Sequence, residues 1–184
     1  MWHKHGVQRN RLRKPRPPLD AERLQETALA YVGRYATTRV RLGAYLNRKL
    51  RERGWTGSEE ADVADLVERI VALGYVDDRA FAKARAASLG RRGYGAARVG
   101  EALRVAGIAE DDGLEARAAA REGAWDAALR FAERRKIGPF ALAEADRPAR
   151  EKALAAMLRA GHPLDLARRL VSARPGEVPE PDAV

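Results

Sequence analysis

The chain has 184 residues, enough for one ordinary core or for several small repeats. It contains no cysteine, which excludes disulfides, thiolate metal sites and a cysteine nucleophile, and fits a reducing cytoplasm. The formal net charge is +9, and no apolar run approaches the ~20 residues needed to span a bilayer.

The charge is concentrated at the start. Lys4, Arg9, Arg11, Arg13, Lys14 and Arg16 stand in the first 18 residues without a single acid. No apolar stretch follows, so this is not a secretory signal. Residues 1–20 read as a basic disordered leader. Arg9, Arg11, Arg13, Lys14 and Arg16 are its candidate phosphate contacts, against the plainer reading of a solvated tail.

Beyond the leader, Ala, Leu, Arg and Glu dominate, all strong helix formers, and no segment alternates as a strand would. Leu42, Tyr45, Leu46 and Leu50 share one helical face before Gly54. The same stretch is basic, with Arg39, Arg41, Arg48 and Lys49 as candidate contacts for DNA or a protein partner. Arg41 and Arg48 lie on one stripe, with Glu52 next along it. Over 60–73, Val63, Leu66, Val67, Ile70 and Val71 share a face. Ser58 is the expected cap of that helix, with Glu59 and Glu60 behind it.

Residues 74–108 read GYVDDRAFAKARAASLGRRGYGAARVGEALRVAGI. Gly74 and Gly107 each follow apolar residues at helical spacing, as helix stops do. Asp77 reads as an N-cap, Asp78 suits a helix N-terminus, and Val76 and Phe81 are spaced for a hydrophobic staple. Gly90, Gly93 and Gly95 make a turn, with Arg91, Arg92, Tyr94 and Arg98 around it. Arginine offers planar paired donors to phosphate or carboxylate, and tyrosine a flat stacking face. Gly90-Arg91-Arg92-Gly93 also matches the GXXG loop of KH domains, but that fold needs a sheet. Phe81, Val99 and Leu103 are candidates for core.

Further on, Trp125, Ala128, Leu129 and Ala132 mark another helix. Pro139 and Pro148 break the connection KIGPFALAEADRP. The stops recur: Gly54, Gly107 and Gly161 are spaced by 53 and 54 residues, and the residue four before each is Leu50, Leu103 or Met157. Such self-similarity suggests stacked supersecondary units. The expected fold is all-α, an elongated array of three tandem three-helix repeats at 21–75, 76–123 and 124–174. Residues 175–184 form an acidic, Pro-rich tail expected to be disordered.

Chemistry has little to work with. His3 and His5 lie in the leader, and His162 follows a helix stop, where it suits a dipole partner or a packing residue. The acid pairs Glu59/Glu60, Asp77/Asp78 and Asp111/Asp112 all lie near helix starts, where capping accounts for them. No nucleophile, base and orienter come together, and no phosphate loop is present, so an enzyme, a cofactor and a metal are not expected.

GYVDDRAFA, then RRGYG, then a helix ending in GI resembles the central repeat of RecX proteins, regulators of the RecA recombinase. RYATTRVRLGAYLNRKLRERGW at 34–55 resembles the first repeat of that family. The first repeat departs in one respect: an acidic residue common near the start of its second helix is absent, and Arg39 and Arg41 stand there. The resemblance implies a cytoplasmic, monomeric protein that binds the RecA–DNA filament and inhibits or modulates its ATPase, strand-exchange and coprotease activities. Its partners would be RecA and single-stranded DNA, with double-stranded DNA as a further one, and no membrane. The alternative is a stand-alone DNA-binding protein, architectural or transcriptional, reading DNA with Arg91 to Arg98.

Overall fold

The computed structural model describes residues 17–181, and the described residues form an all-helical chain. The leader residues Arg9, Arg11, Arg13, Lys14 and Arg16 lie outside them. The helices are α1 (Ala21–Val32), α2 (Arg39–Arg53), α3 (Val63–Ala72), α4 (Asp78–Arg91), α5 (Ala96–Val105), α6 (Glu110–Glu122), α7 (Ala124–Arg135), α8 (Arg147–Arg159) and α9 (Leu164–Ser172). A short 3-10 turn, Gly138–Phe140, interrupts the connection before α8, and Pro148 sits in the first turn of α8, where a missing N–H costs nothing.

Three separate apolar clusters hold the chain. Leu24, Leu42, Leu46, Leu66 and Ile70 centre the first, from α1 to α3. Leu89, Val99 and Leu103 centre the second, from α4 to α6, with Phe81 packed against it. Phe131, Met157 and Leu170 centre the third, from α7 to α9. Helices α1–α3 share no extensive contact with α7–α9. This arrangement is compatible with units in a row.

The glycine stops explain how neighbouring clusters join. Gly107 and Gly161 have φ of 75° and 90°, and the residue after each donates its N–H five residues back: Ile108 to Leu103 (3.1 Å) and His162 to Met157 (3.2 Å). Each stop then abuts the start of an earlier helix. The Ala106 carbonyl accepts the Thr38 hydroxyl at 2.6 Å, at the N-cap of α2. The Ala160 carbonyl accepts the Gly95 N–H at 2.9 Å, at the N-cap of α5. So α8, α5 and α2 follow one another end to end.

Gly54 behaves differently. Its φ is also positive, 79°, but the chain leaves in an extended conformation, and its carbonyl accepts the Leu19 N–H at 2.9 Å. Leu19 belongs to the expected leader, yet it is fully buried, because an apolar side chain there completes the first cluster. Arg53 reinforces this with two bonds to the Pro17 carbonyl, at 2.9 and 2.7 Å.

Other local expectations shift. The cap of α3 is Asp62, accepting the Asp65 N–H at 2.8 Å, not Ser58. The Trp55 indole donates to the Glu59 carbonyl at 2.6 Å, which holds that stretch as a loop. Asp77 caps α4 as expected, through the Ala80 N–H at 2.9 Å. Val76 and Phe81 fall in different clusters rather than forming a staple. Asp111 and Asp112 lie in the first turn of α6, which has no side-chain cap, and Asp112 instead accepts from Arg79 at 3.0 Å.

Candidate nucleic-acid and partner interface

The turn RRGYG is built by a helix stop and a close approach. α4 ends at Arg91, and the Tyr94 N–H reaches back to the Leu89 carbonyl at 3.0 Å. Gly93 has φ of 73°, and a side chain on it would press on the Phe131 backbone N at 2.8 Å. A Cβ on Gly95 would overlap the Gly161 carbonyl. These two glycines therefore exist to let α7 and the end of α8 approach the turn. Gly90, by contrast, has open space around it. A GXXG clamp would need both of its glycines free at the surface, and Gly93 is enclosed.

Tyr94 sits between the second and third clusters and packs against both. The Arg92 guanidinium lies over its ring, 5.3 Å from the centroid. Around this pair opens a cleft of about 370 Å³ lined by Arg41, Arg85, Arg92, Tyr94, Arg98 and Glu101. Arg41 and Arg98 hold the same position in their helices, the third residue of α2 and of α5. Arg41 also lies over the Phe81 ring at 5.6 Å. Four guanidinium groups thus converge from α2, α4, the turn and α5. The one lining acid, Glu101, is engaged by Arg104 through two bonds of 3.0 and 2.8 Å, and that hydrogen bonding holds its carboxyl below the usual range.

The other sequence candidates lie elsewhere. Arg91 faces a separate cavity between α4, α6 and α7, shared with Lys83, Glu115 and Arg130. Arg91 ends α4 and Arg92 begins the turn, and the two line different hollows on either side of Tyr94. Arg39 pairs with Glu68 at 3.1 Å. Arg48 and Lys49 pair with Glu52, at 3.5 and 2.5 Å, and both lie over Tyr45. Arg85 escaped the sequence reading; it stands seven residues before Arg92 on the same helical stripe, a signal that was available.

Two buried polar groups brace the joints beside the cleft. Asp78 accepts the Arg39 N–H at 3.1 Å, so an acid from α4 meets the positive end of α2. Burial pushes the Asp78 carboxyl up, against the pull of Arg39. His162 is buried, with Nε2 3.1 Å from the Gly93 carbonyl and its ring tilted on Phe131. The carbonyl can only accept, so Nε2 carries the hydrogen, and Nδ1 has no partner. Burial pushes His162 below the ordinary histidine value. Among the described residues no group of three His, Cys, Asp or Glu could hold a metal ion, and no helix is long and apolar enough to cross a membrane.

Comparison with known proteins adds relatives. No family model matches the chain. It is similar to the regulatory protein RecX of Myxococcus xanthus (strain DK1622), 30% identical over 180 residues, covering 92% of this chain and 96% of that protein. Its fold is similar to the crystal structure of RecX from Lactobacillus salivarius, with a TM-score of 0.59 at 17% identity, over 82% of this chain and 93% of the other.

Proposed function

The chain belongs to the RecX family of regulatory proteins, and from that premise we propose that it binds the RecA–DNA filament and inhibits or modulates its ATPase, strand-exchange and coprotease activities. The observation that carries this reading furthest is the cleft joining Arg41 of α2 to Arg85, Arg92 and Arg98 around Tyr94. Fork-shaped guanidinium donors fit phosphate oxygens, and a tyrosine braced by an arginine gives an unstacked base a face. Single-stranded DNA is the partner this chemistry suits best, with double-stranded DNA engaged through phosphate alone. Arg39, Arg48, Lys49 and Arg91 lie outside the cleft and would serve contacts to RecA.

A row of helical units bound along a filament engages several subunits at once. Each contact can then be modest, since the second and third form at high effective concentration. Held in this way, neighbouring subunits resist the relative motion that accompanies turnover.

The test is ATP hydrolysis by preformed RecA filaments, titrated at fixed salt with parent protein and with Arg41→Glu/Arg92→Glu/Arg98→Glu. The parent suppresses hydrolysis, and the triple variant does so at least about tenfold less effectively because phosphate now meets three carboxylates. A parent that binds DNA yet leaves hydrolysis untouched makes the chain a stand-alone DNA-binding protein instead. An equally active triple variant removes the cleft from the contact surface.

A further inference from the structure

A second basic groove opens against the third cluster. It lies between the 3-10 turn, the first half of α8 and the end of α9, with a volume of about 250 Å³. Its cations are Arg135, Lys136, Arg150 and Lys152. None of the four meets a carboxylate within ion-pair distance among the described residues, whereas Arg39, Arg79, Lys83, Arg104, Arg117 and Arg147 all do. Arg135 lies over the Phe131 ring at 5.6 Å. An adjoining lobe adds Arg174 and one acid, Glu144. The floor is aliphatic: Ile137, Ala149, Ala153, Ala156 and Val171.

Unpaired like charges gathered round one hollow repel each other and destabilise the bare protein. A ligand that brings negative charge removes that cost. The floor decides which kind of ligand. No aromatic ring lines the groove, so a nucleobase finds nothing to stack on. No side-chain amide or hydroxyl lines it either, so base edges find no reader. Small aliphatic side chains leave room for a Leu-, Ile- or Val-sized group, which gains by leaving water. The central cleft differs on each count, with Tyr94 at its centre.

We propose that the groove between the 3-10 turn, α8 and α9 is a docking site for an acidic protein segment that carries an aliphatic side chain. The carboxylates of the segment sit against Arg135, Lys136, Arg150 and Lys152, and its aliphatic side chain enters between Ala149, Ala153 and Val171. The chain then has two basic surfaces of different selectivity, a nucleic-acid surface on the central cleft and a protein surface on the third cluster. This goes beyond the regulatory reading and stands apart from it, since it needs no particular partner.

The experiment uses the full chain and three fluorescein-labelled probes at one salt concentration, read by anisotropy. The first is a peptide of about a dozen residues made of Glu and Leu, the second has the same charge with Ser for Leu, and the third is an oligothymidylate of similar length. The Glu/Leu peptide binds saturably, and the Ser version at least about fivefold more weakly, because only the first fills the apolar floor. Arg150→Glu/Lys152→Glu, both exposed positions, weakens the Glu/Leu peptide at least about tenfold and changes oligothymidylate binding less than about twofold. A thermal melt matching the parent confirms that the variant is folded; if it is not, Arg150→Gln/Lys152→Gln takes its place with the same criteria. Equal affinity for the Glu/Leu and Glu/Ser peptides overturns the proposal, since charge alone would then explain binding. No saturable peptide binding overturns it as well. So does a matching loss of oligothymidylate affinity, which makes the groove a nucleic-acid site. RecA ATPase left unaffected by the parent would remove the regulatory reading and leave the peptide result untouched.

Discussion

The hydroxyl of Thr38 serves two helices at once: it donates to the Ala106 carbonyl at 2.6 Å and accepts the Arg41 N–H at 3.2 Å. One buried oxygen therefore closes the C-terminus of α5 and the N-terminus of α2. Valine has the same shape without the hydroxyl, so Thr38→Val leaves a buried carbonyl and a helix N–H unsatisfied. It should cost about 2–4 kcal/mol in urea unfolding. Thr38→Ser keeps the oxygen and should lose no more than about 1 kcal/mol. Equal midpoints for parent and Thr38→Val would show that water replaces the hydroxyl at this joint.

The turn glycines separate a motif from a packing constraint. Gly90 lies within α4 with open space around it, so Gly90→Ala should raise stability by roughly 0.5–1 kcal/mol through helix propensity. Gly93→Ala meets the Phe131 backbone from a left-handed conformation, and should lower stability by about 2 kcal/mol or more. Opposite signs in denaturant unfolding are the expected outcome. A loss of DNA affinity in Gly90→Ala at unchanged stability would instead support a backbone clamp.

His162 gives the joint between the second and third clusters a pH dependence. Its folded value is lowered by burial, so just below the unfolded value of ~6.5 the unfolded chain binds the proton and the folded chain does not. Stability is therefore complete above that value and falls as pH drops beneath it. His162→Gln retains a donor for the Gly93 carbonyl and cannot titrate. Melting temperature measured from pH 7.5 to 5.5 should fall less for this variant than for the parent. Parallel curves would place the acid sensitivity elsewhere, with the carboxylates.

The leader can be tested by its ions. Six basic side chains that neutralise single-stranded DNA release counterions at about 0.7 per phosphate, so deleting residues 1–16 should reduce the log–log salt slope of binding by at most about 4. An unchanged slope would exclude the leader as a DNA contact.

Much of the helix order was legible because its punctuation is local. Glycines at positive φ and aspartates at helix starts act through their own backbone neighbourhood, so Gly74, Gly107, Gly161 and Asp77 read correctly from sequence. Ser58 misled because Asp62 is an equally good cap, and the Trp55 indole holds the stretch before it as a loop through a bond to the Glu59 carbonyl. The cleft was legible in part. Tyr94, Arg92 and Arg98 belong to one motif, and Arg41 was found as a charge without its place. Arg85 shows in the sequence as a charge seven residues before Arg92, but that spacing looks like ordinary solvation until another helix faces it. The joints themselves were not legible. Thr38 and Gly95 do the same task with different donors, a hydroxyl and a backbone N–H, and no residue pattern links them.

The end-to-end run of α8, α5 and α2 also has a mechanical side. Helices are stiff along their axes, so a pull or push applied to the chain travels through the rods and concentrates where they meet. Those meeting points are small: Ala160 on Gly95, and Ala106 on Thr38. The first is buttressed by Phe131, Tyr94 and His162, and the second by Val40, whose side chain lies against Gly107, together with Thr38, Asp78 and Arg41. Bending should therefore concentrate at these two joints and spare the helices between them. A molecule jointed in this way can follow a curved track while each helix keeps its shape.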